Sequence, residues 1–280
     1  AQTDDDFPSK QFGVVTYTGT GSATTISGLG FQPDLIWAKT RSTSSRHYLV
    51  DSSRGFTKYL HPEDTYSEGT ASTGVTSANS DGFVIGGGLD YVNYSGRTFV
   101  AWCWRAGGGV NSSTTDGSIT STVQANTKAG FSIITWTASG SNGSIGHGLS
   151  AKPDFHIIKK YNSSNGWIVY HTSLGATKFL RLDLSNASAS NQYLYNNTEP
   201  TSTVINLGDN GGTNHPAGDS YICYAWHSVE GFSKFGTYTG NGNDDGPFIY
   251  TGGKPSLVAI KWVTGVNSAE DWGVFDTARS

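Results

Sequence analysis

The sequence predicts an all-β protein built from tandem β-sandwich repeats of a jelly-roll or concanavalin-like kind, two complete and one partial. Three observations predict it. A short apolar strand recurs three times with matching flanks, and internal repeats of this kind mark a repeated structural unit. Polarity comes from small uncharged residues, with 37 glycines and only 14% charged side chains, as turn-rich β folds require. No stretch has a persuasive apolar period of 3.6 residues, so no amphipathic helix is expected.

The recurring strand reads Pro33-Asp34-Leu35-Ile36-Trp37-Ala38-Lys39, then Pro153-Asp154-Phe155-His156-Ile157-Ile158-Lys159, then Pro255-Ser256-Leu257-Val258-Ala259-Ile260-Lys261. Proline lacks an N–H and suits the entry to a strand. The apolar run between proline and lysine predicts a strand buried on both faces. Lys39, Lys159 and Lys261 are read as strand-end residues whose stems pack and whose amines reach water or a neighbouring aspartate; the rival reading is a recurring ligand contact.

The flanks extend the match. Strands are expected at Phe12–Thr18, Phe131–Thr137 and from Phe232 to Tyr238, the third with one extra residue that a β-bulge could absorb. A second strand follows each lysine, at His47–Asp51, Trp167–His171 and Trp272–Asp276. Repeats one and two continue together through Lys58-Tyr59-Leu60 and Lys178-Phe179-Leu180 to an aromatic closing strand, Thr98–Trp104 and Ser220–Trp226. In the closing strand Val100, Trp102 and Trp104 share one face and Phe99, Ala101 and Cys103 the other, so it is expected to be central and covered on both sides. The third copy stops soon after Asp276, about halfway through its unit. With no methionine in the chain, the expectation is a piece of something longer, or a half unit that pairs with a neighbour.

In chain order, residues 1–11 are expected to be a linker or tail whose Asp4-Asp5-Asp6 run is solvated charge. Repeat one spans 12–106, with a long loop at His61–Asn79 and a strand at Gly82–Ile85. Residues 107–130 form a Gly/Ser/Thr-rich connection, placed as the domain boundary, with a short strand possible at Ile119–Val123. Repeat two spans 131–228, and the partial third repeat 229–280 follows a short join. Each complete unit is about 95 residues, a normal size for a β-sandwich.

Net charge is −4 and the isoelectric point about 5.9, which argues against a nucleic-acid partner. No apolar stretch is long enough to span a bilayer, so no membrane insertion is expected. Cys103 and Cys223 fall at non-equivalent positions and read as small buried thiols, with a bridge open only if their strands approach closely. No cofactor or metal site is expected, because no ligand spacing or phosphate loop occurs. The seven histidines are scattered. His171 interchanges with Asp51 and Asp276 in the other copies and reads as a capping residue, and His156 as a satisfied sheet histidine. Asp81, Asp90 and Glu63 are the carboxylates that could meet as an acid pair, but no catalytic set recurs, so the chain is expected not to be an enzyme.

Aromatic residues on polar loops are the binding candidates. Asp90, Tyr91, Asn93, Tyr94 and Arg97 form one group; Tyr193, Tyr195 and Asn196, beside Asn191, Gln192 and Asn197, form another. A sugar ring has an apolar face and a hydroxyl rim, so a flat aromatic with amides beside it suits a glycan. The other reading is loop tyrosines folded onto their own domain.

The motif set "YTGTG … GFQPDLIWAKTRS … LVDSSRG … SDGFVIGG … FVAWCWRAGG", "GFSIITWT … KPDFHIIKK … WIVYHTSLGATKFL" and "VEGFSKFGTYTGNGNDDGPFIYTGGKPSLVAIKW" resembles a tandem-repeat domain family of marine tailed phages, found in virion, tail-fibre or fibre-like proteins and of uncharacterised function. The resemblance covers Phe12 to Arg279. It implies a structural or adhesive role at the virion surface, outside cells, with other virion proteins as partners and a host surface polysaccharide as possible ligand. It supplies no catalytic residue. Fibres of this class often form homo-oligomers, trimers above all. The alternatives are a carbohydrate-binding module of a secreted glycan-degrading enzyme and a polysaccharide depolymerase.

Overall fold

The computed structural model describes residues 6–264 and 270–279, so Asp4 and Asp5 of the expected acidic tail lie outside it. Asp6 is not simply solvated; it pairs with Lys128 at 2.7 Å. A 3-10 turn at Pro8–Lys10 follows, and Lys10 donates to Gly30 O at 3.0 Å. Residues 6–11 are therefore tied to the body through Asp6 and Lys10 and by the buried Gln11, while 7–9 stay exposed.

The fold is all-β and antiparallel, as the alternating patterns predict. Nine strands come first: β1 (Phe12–Thr18), β2 (Thr24–Ser27), β3 (Leu35–Thr40), β4 (Tyr48–Asp51), β5 (Lys58–Leu60), β6 (Gly69–Thr70), β7 (Val75–Asn79), β8 (Gly82–Ile85) and β9 (Thr98–Trp104). They form a large sheet ordered β1-β9-β3-β4-β5-β6 and a small sheet ordered β2-β8-β7. The region 61–79, expected as loop, thus supplies β6 and β7. Ile26, Phe83 and Ile85 of the small sheet pack against Ile36, Ala38, Val50, Ala101 and Cys103 of the large one. Ile36, Val50, Phe83 and Ile85 are fully buried, and each such side chain contributes roughly 1.5–3 kcal/mol.

The second set is β10 (Ser112–Thr114), β11 (Ser121–Asn126), β12 (Phe131–Thr137), β13 (Gly143–Gly146), β14 (Phe155–Lys160), β15 (Trp167–His171), β16 (Lys178–Arg181), β17 (Ala189–Ser190), the one-turn helix α1 (Gln192–Tyr195), β18 (Val204–Leu207) and β19 (Ser220–Trp226). Its large sheet runs β10-β11-β12-β19-β14-β15-β16-β17, with β13-β18 as the small sheet. From β12 onward this is the strand order of the first set. The connection at 107–130 is not a plain linker: β10 and β11 extend the second sheet, β11 pairing along β12 from Ser121↔Trp136 to Asn126↔Phe131.

The last strands, β20 (Leu257–Ile260) and β21 (Gly273–Asp276), form a hairpin. The strand expected near Phe232–Tyr238 is not formed; a tight turn at Val229–Ser233 precedes irregular chain. The reason lies in the pairing. β1 and β12 are held by the closing strands β9 and β19, and no closing strand stands beside residues 232–238 among the described residues.

The two large sheets turn their outer faces toward each other. Leu35, Leu49 and Leu60 meet Ile133, Ile157, Trp167, Val169 and Tyr224 in a shared core, which Phe232 and Trp272 also join. β3 and β14 are therefore covered on both faces, as predicted for the recurring strand, and β9 as predicted for the closing strand. The third copy of the recurring strand, β20, is only half-buried, because it lies in a two-stranded hairpin with no second sheet over it among the described residues. Cys103 and Cys223 are unbridged and buried, each inside a different sheet-on-sheet core.

Candidate binding surface

The loop between β8 and β9 carries the first candidate group. Asn93 is fully buried. Its side chain accepts from Thr20 N and donates to Ser22 O at 2.7 Å. Asn214 repeats both bonds in the second set, with Ser139 N and Ser141 O. Asn93 is therefore a loop brace, not a surface contact. Tyr91 is folded down against His61, with ring centroids 5.1 Å apart. Tyr94 is exposed, but the Arg97 guanidinium lies 4.1 Å from its ring centroid, and Asp90 stands 3.9 Å from Arg97. This aromatic face already has a cation on it.

The second group sits on α1. Asn191 caps the turn by accepting from Tyr193 N at 2.9 Å. The chain leaves through Asn196 and Asn197, both left-handed at φ 51° and 49°, a conformation asparagine tolerates better than most residues. A single turn with this cap presents alternating fates. Leu194 and Tyr195 point into the core, while Tyr193 stays 60% exposed. Tyr195, a sequence candidate, is thus a core residue. Tyr193 joins Asn191, Gln192, Asn197, Thr177 and Ser190 around an open depression of about 470 Å³. Asn196 is not part of its lining; it accepts from Asn142 at 3.2 Å. Thr177 and Ser190 were not foreseeable from spacing; the β16–β17 pairing, Lys178↔Ser190, brings them there. The first set has no counterpart of α1.

The repeated charged residues do structural work. Asp34 is fully buried and accepts from Ala106 N, Gly108 N, Gly109 N and Ser52 Oγ. Asp154 does the same for Ser228 N at 2.7 Å. All three lysines turn their amines onto loop carbonyls, and Lys159 is fully buried. Lys39 donates to Ser45 O at 2.7 Å, Lys159 to Asn165 O and to Thr65 O, and Lys261 to Ser185 O and Glu270 O. Burial lowers the basicity of all three, Lys159 to about 8. They clasp loop carbonyls rather than an aspartate. Asp51, His171 and Asp276 each cap the turn that follows, accepting from Arg54 N, Ser173 N and Ala278 N.

These same positions lock one segment to the next in a cyclic pattern. Trp167 Nε1 donates to His61 O, and Trp272 Nε1, its sequence counterpart, to Arg181 O at 2.9 Å. Lys159 reaches Thr65 O, and Lys261 reaches Ser185 O. Tyr224 Oη donates to Asp51 at 2.8 Å, and Trp102 Nε1 to Asp276 at 2.9 Å.

The carboxylates considered as an acid pair have separate duties. Asp81 holds Gly28 N and Gly30 N, Glu63 holds His47 N, and Asp90 faces Arg97. Among the described residues no group of three or more His, Cys, Asp or Glu is placed to hold a metal ion. His156 differs from expectation. It is fully buried, stacks on Tyr170 with centroids 4.6 Å apart, and neither ring nitrogen has a hydrogen-bond partner among the described residues. Burial pushes its pKa down to about 3, with the charge of His147 adding to the shift.

Fold and surface together define an antiparallel β-sandwich protein with interlocked sheets and an exposed tyrosine–amide depression. Residues 7–280 match the family model described as a domain of unknown function, DUF7483, and the chain belongs to that family. No curated protein and no solved structure matches it.

Proposed function

We propose that this chain is a non-enzymatic structural and adhesive module of a phage virion, in a tail fibre or surface decoration, and that it binds a host surface glycan through the depression around Tyr193. Two complete β-sandwich repeats, 12–106 and 131–228, and a partial one, 229–280, make up the module, with other virion proteins and further copies of the chain as its neighbours. The observation that carries the glycan reading is the exposed Tyr193 ring set among Asn191, Gln192 and Asn197. An aromatic face takes the C–H face of a sugar, and the amides offer donors and acceptors to its hydroxyls. The absence of a charged group from this lining favours a neutral sugar. The virion reading rests on the family resemblance of the motif set.

The test is a glycan array followed by titration with the best ligand. Tyr193→Ala is expected to weaken binding at least tenfold and leave the melting temperature unchanged, because the ring is exposed. Unchanged binding in that variant would remove the depression from the proposal. Finding the protein in purified virions separates the virion reading from a carbohydrate-binding module, which would instead share a reading frame with a catalytic domain.

A further inference from the structure

We infer that the free edge of β20 is a docking slot for one antiparallel β-strand of the closing type, a tyrosine–small–tryptophan strand supplied in trans by a partner protein. Three observations carry this.

The first is the pairing. β3 has β4 on one edge and β9 on the other; β14 has β15 and β19. β20 carries the same motif but, among the described residues, pairs with β21 alone. An unpaired strand edge offers a ladder of N–H and C=O groups to an extended peptide.

The second is burial. Val50 and Tyr170, on the sandwich-inner faces of β4 and β15, are fully buried, whereas their counterpart Phe275 is 61% exposed. The hairpin has the side chains of a covered sheet without its cover.

The third is the cyclic lock. Tyr224 of one closing strand reaches Asp51, and Trp102 of the other reaches Asp276. The remaining place in the cycle is His171. Its Nδ1 accepts from Ser173 N at 3.1 Å, so in the neutral ring Nε2 carries the proton and is a donor. The incoming strand therefore matches best with a tyrosine, whose hydroxyl can accept. Phe155, whose ring centroid is 6.2 Å from that of His171, bounds an apolar cleft of about 600 Å³ together with Trp37, Trp104, Trp226, Leu257 and Trp272. Trp104 and Trp226 stand there with centroids 6.1 Å apart. Both come from closing strands, two residues beyond Trp102 and Tyr224. The docked strand is thus specified: a tyrosine, one small residue, then a tryptophan that joins this pair. A folded second copy has no such strand to lend, since β9 and β19 are paired on both edges.

The probe is a synthetic peptide of residues 219–228, carrying Cys223→Ser, titrated into the intact chain. Expected are a one-to-one complex by native mass spectrometry and roughly tenfold slower hydrogen exchange at Leu257–Ile260. The same peptide with Tyr224→Ala and Trp226→Ala is expected not to bind, and His171→Leu in the protein to weaken binding several-fold. Unchanged exchange at β20, or equal binding of the alanine peptide, overturns the proposal. So does a dimer that forms through β20 in the peptide's absence, because a second copy would then be the occupant.

Discussion

At the residue scale, His156 is the position most at odds with its surroundings. Its counterpart in the first set is Ile36, fully buried in the equivalent core. A histidine there leaves two polar nitrogens without partners, which costs on the order of 1–3 kcal/mol. His156→Ile is expected to stabilise the protein by about that amount in urea denaturation. The histidine also sets a pH dependence. Its folded pKa is about 3 against an ordinary 6.5, so between these values the unfolded chain holds a proton that the folded one does not. Stability is then full above pH 6.5 and is lost as pH falls toward 3, by about 1.4 kcal/mol per unit. The isoleucine variant is expected to flatten that slope; an unchanged slope would assign the acid sensitivity to other groups.

At the element scale, α1 depends on its neighbour Gly208. A Cβ built there would sit 2.1 Å from Tyr193 O, and Gly208 N donates to Leu194 O at 2.8 Å. Gly208→Ala must push the helical turn off the sandwich. The expected outcome is a loss of about 1–3 kcal/mol together with a change in ligand affinity, measured by denaturation and glycan titration on one sample. Strands of this kind were legible in the sequence because alternation and proline–lysine punctuation are local. β3, β9, β14 and β19 lie where those patterns put them. The 232–238 strand failed because a strand needs a partner, and pattern alone does not say whether one is present. β10 was missed, and β11, expected at Ile119–Val123, lies at Ser121–Asn126, because their serines and threonines carry little apolar alternation to set the bounds. The surface was legible in part. Tyr193 was visible as an aromatic among amides, but a hydrogen-bonded Asn93 and a buried Tyr195 look the same in sequence as their exposed neighbours, and Thr177 meets Ser190 only through strand pairing.

At the scale of the whole molecule, the lock between segments centres on Asp51. Asp51 and Arg54 are an almost fully buried pair 2.6 Å apart, extended by Glu68 at 2.9 Å and by Tyr224 from the second set. Breaking such a pair from one side leaves a buried charge and costs about 3–5 kcal/mol. Asp51→Ala is expected to lower the stability of both sheet pairs at once, read as a common shift of exchange rates in β9 and β19. A shift confined to β9 would mean that the two halves fold independently.

The contact of Arg279 with Trp102 has a further consequence. The guanidinium lies 5.2 Å from that ring centroid, and Trp102 faces Val14 of β1 across the ladder. Residues 14 and 279 therefore sit one strand apart, although the whole chain runs between them. The last segment is thus fastened to the first sheet by Arg279 over the Trp102 ring and by Trp102 Nε1 donating to Asp276. Sequence repetition suggests beads in a row; here the last segment folds back onto the first, and the row closes into a ring of contacts.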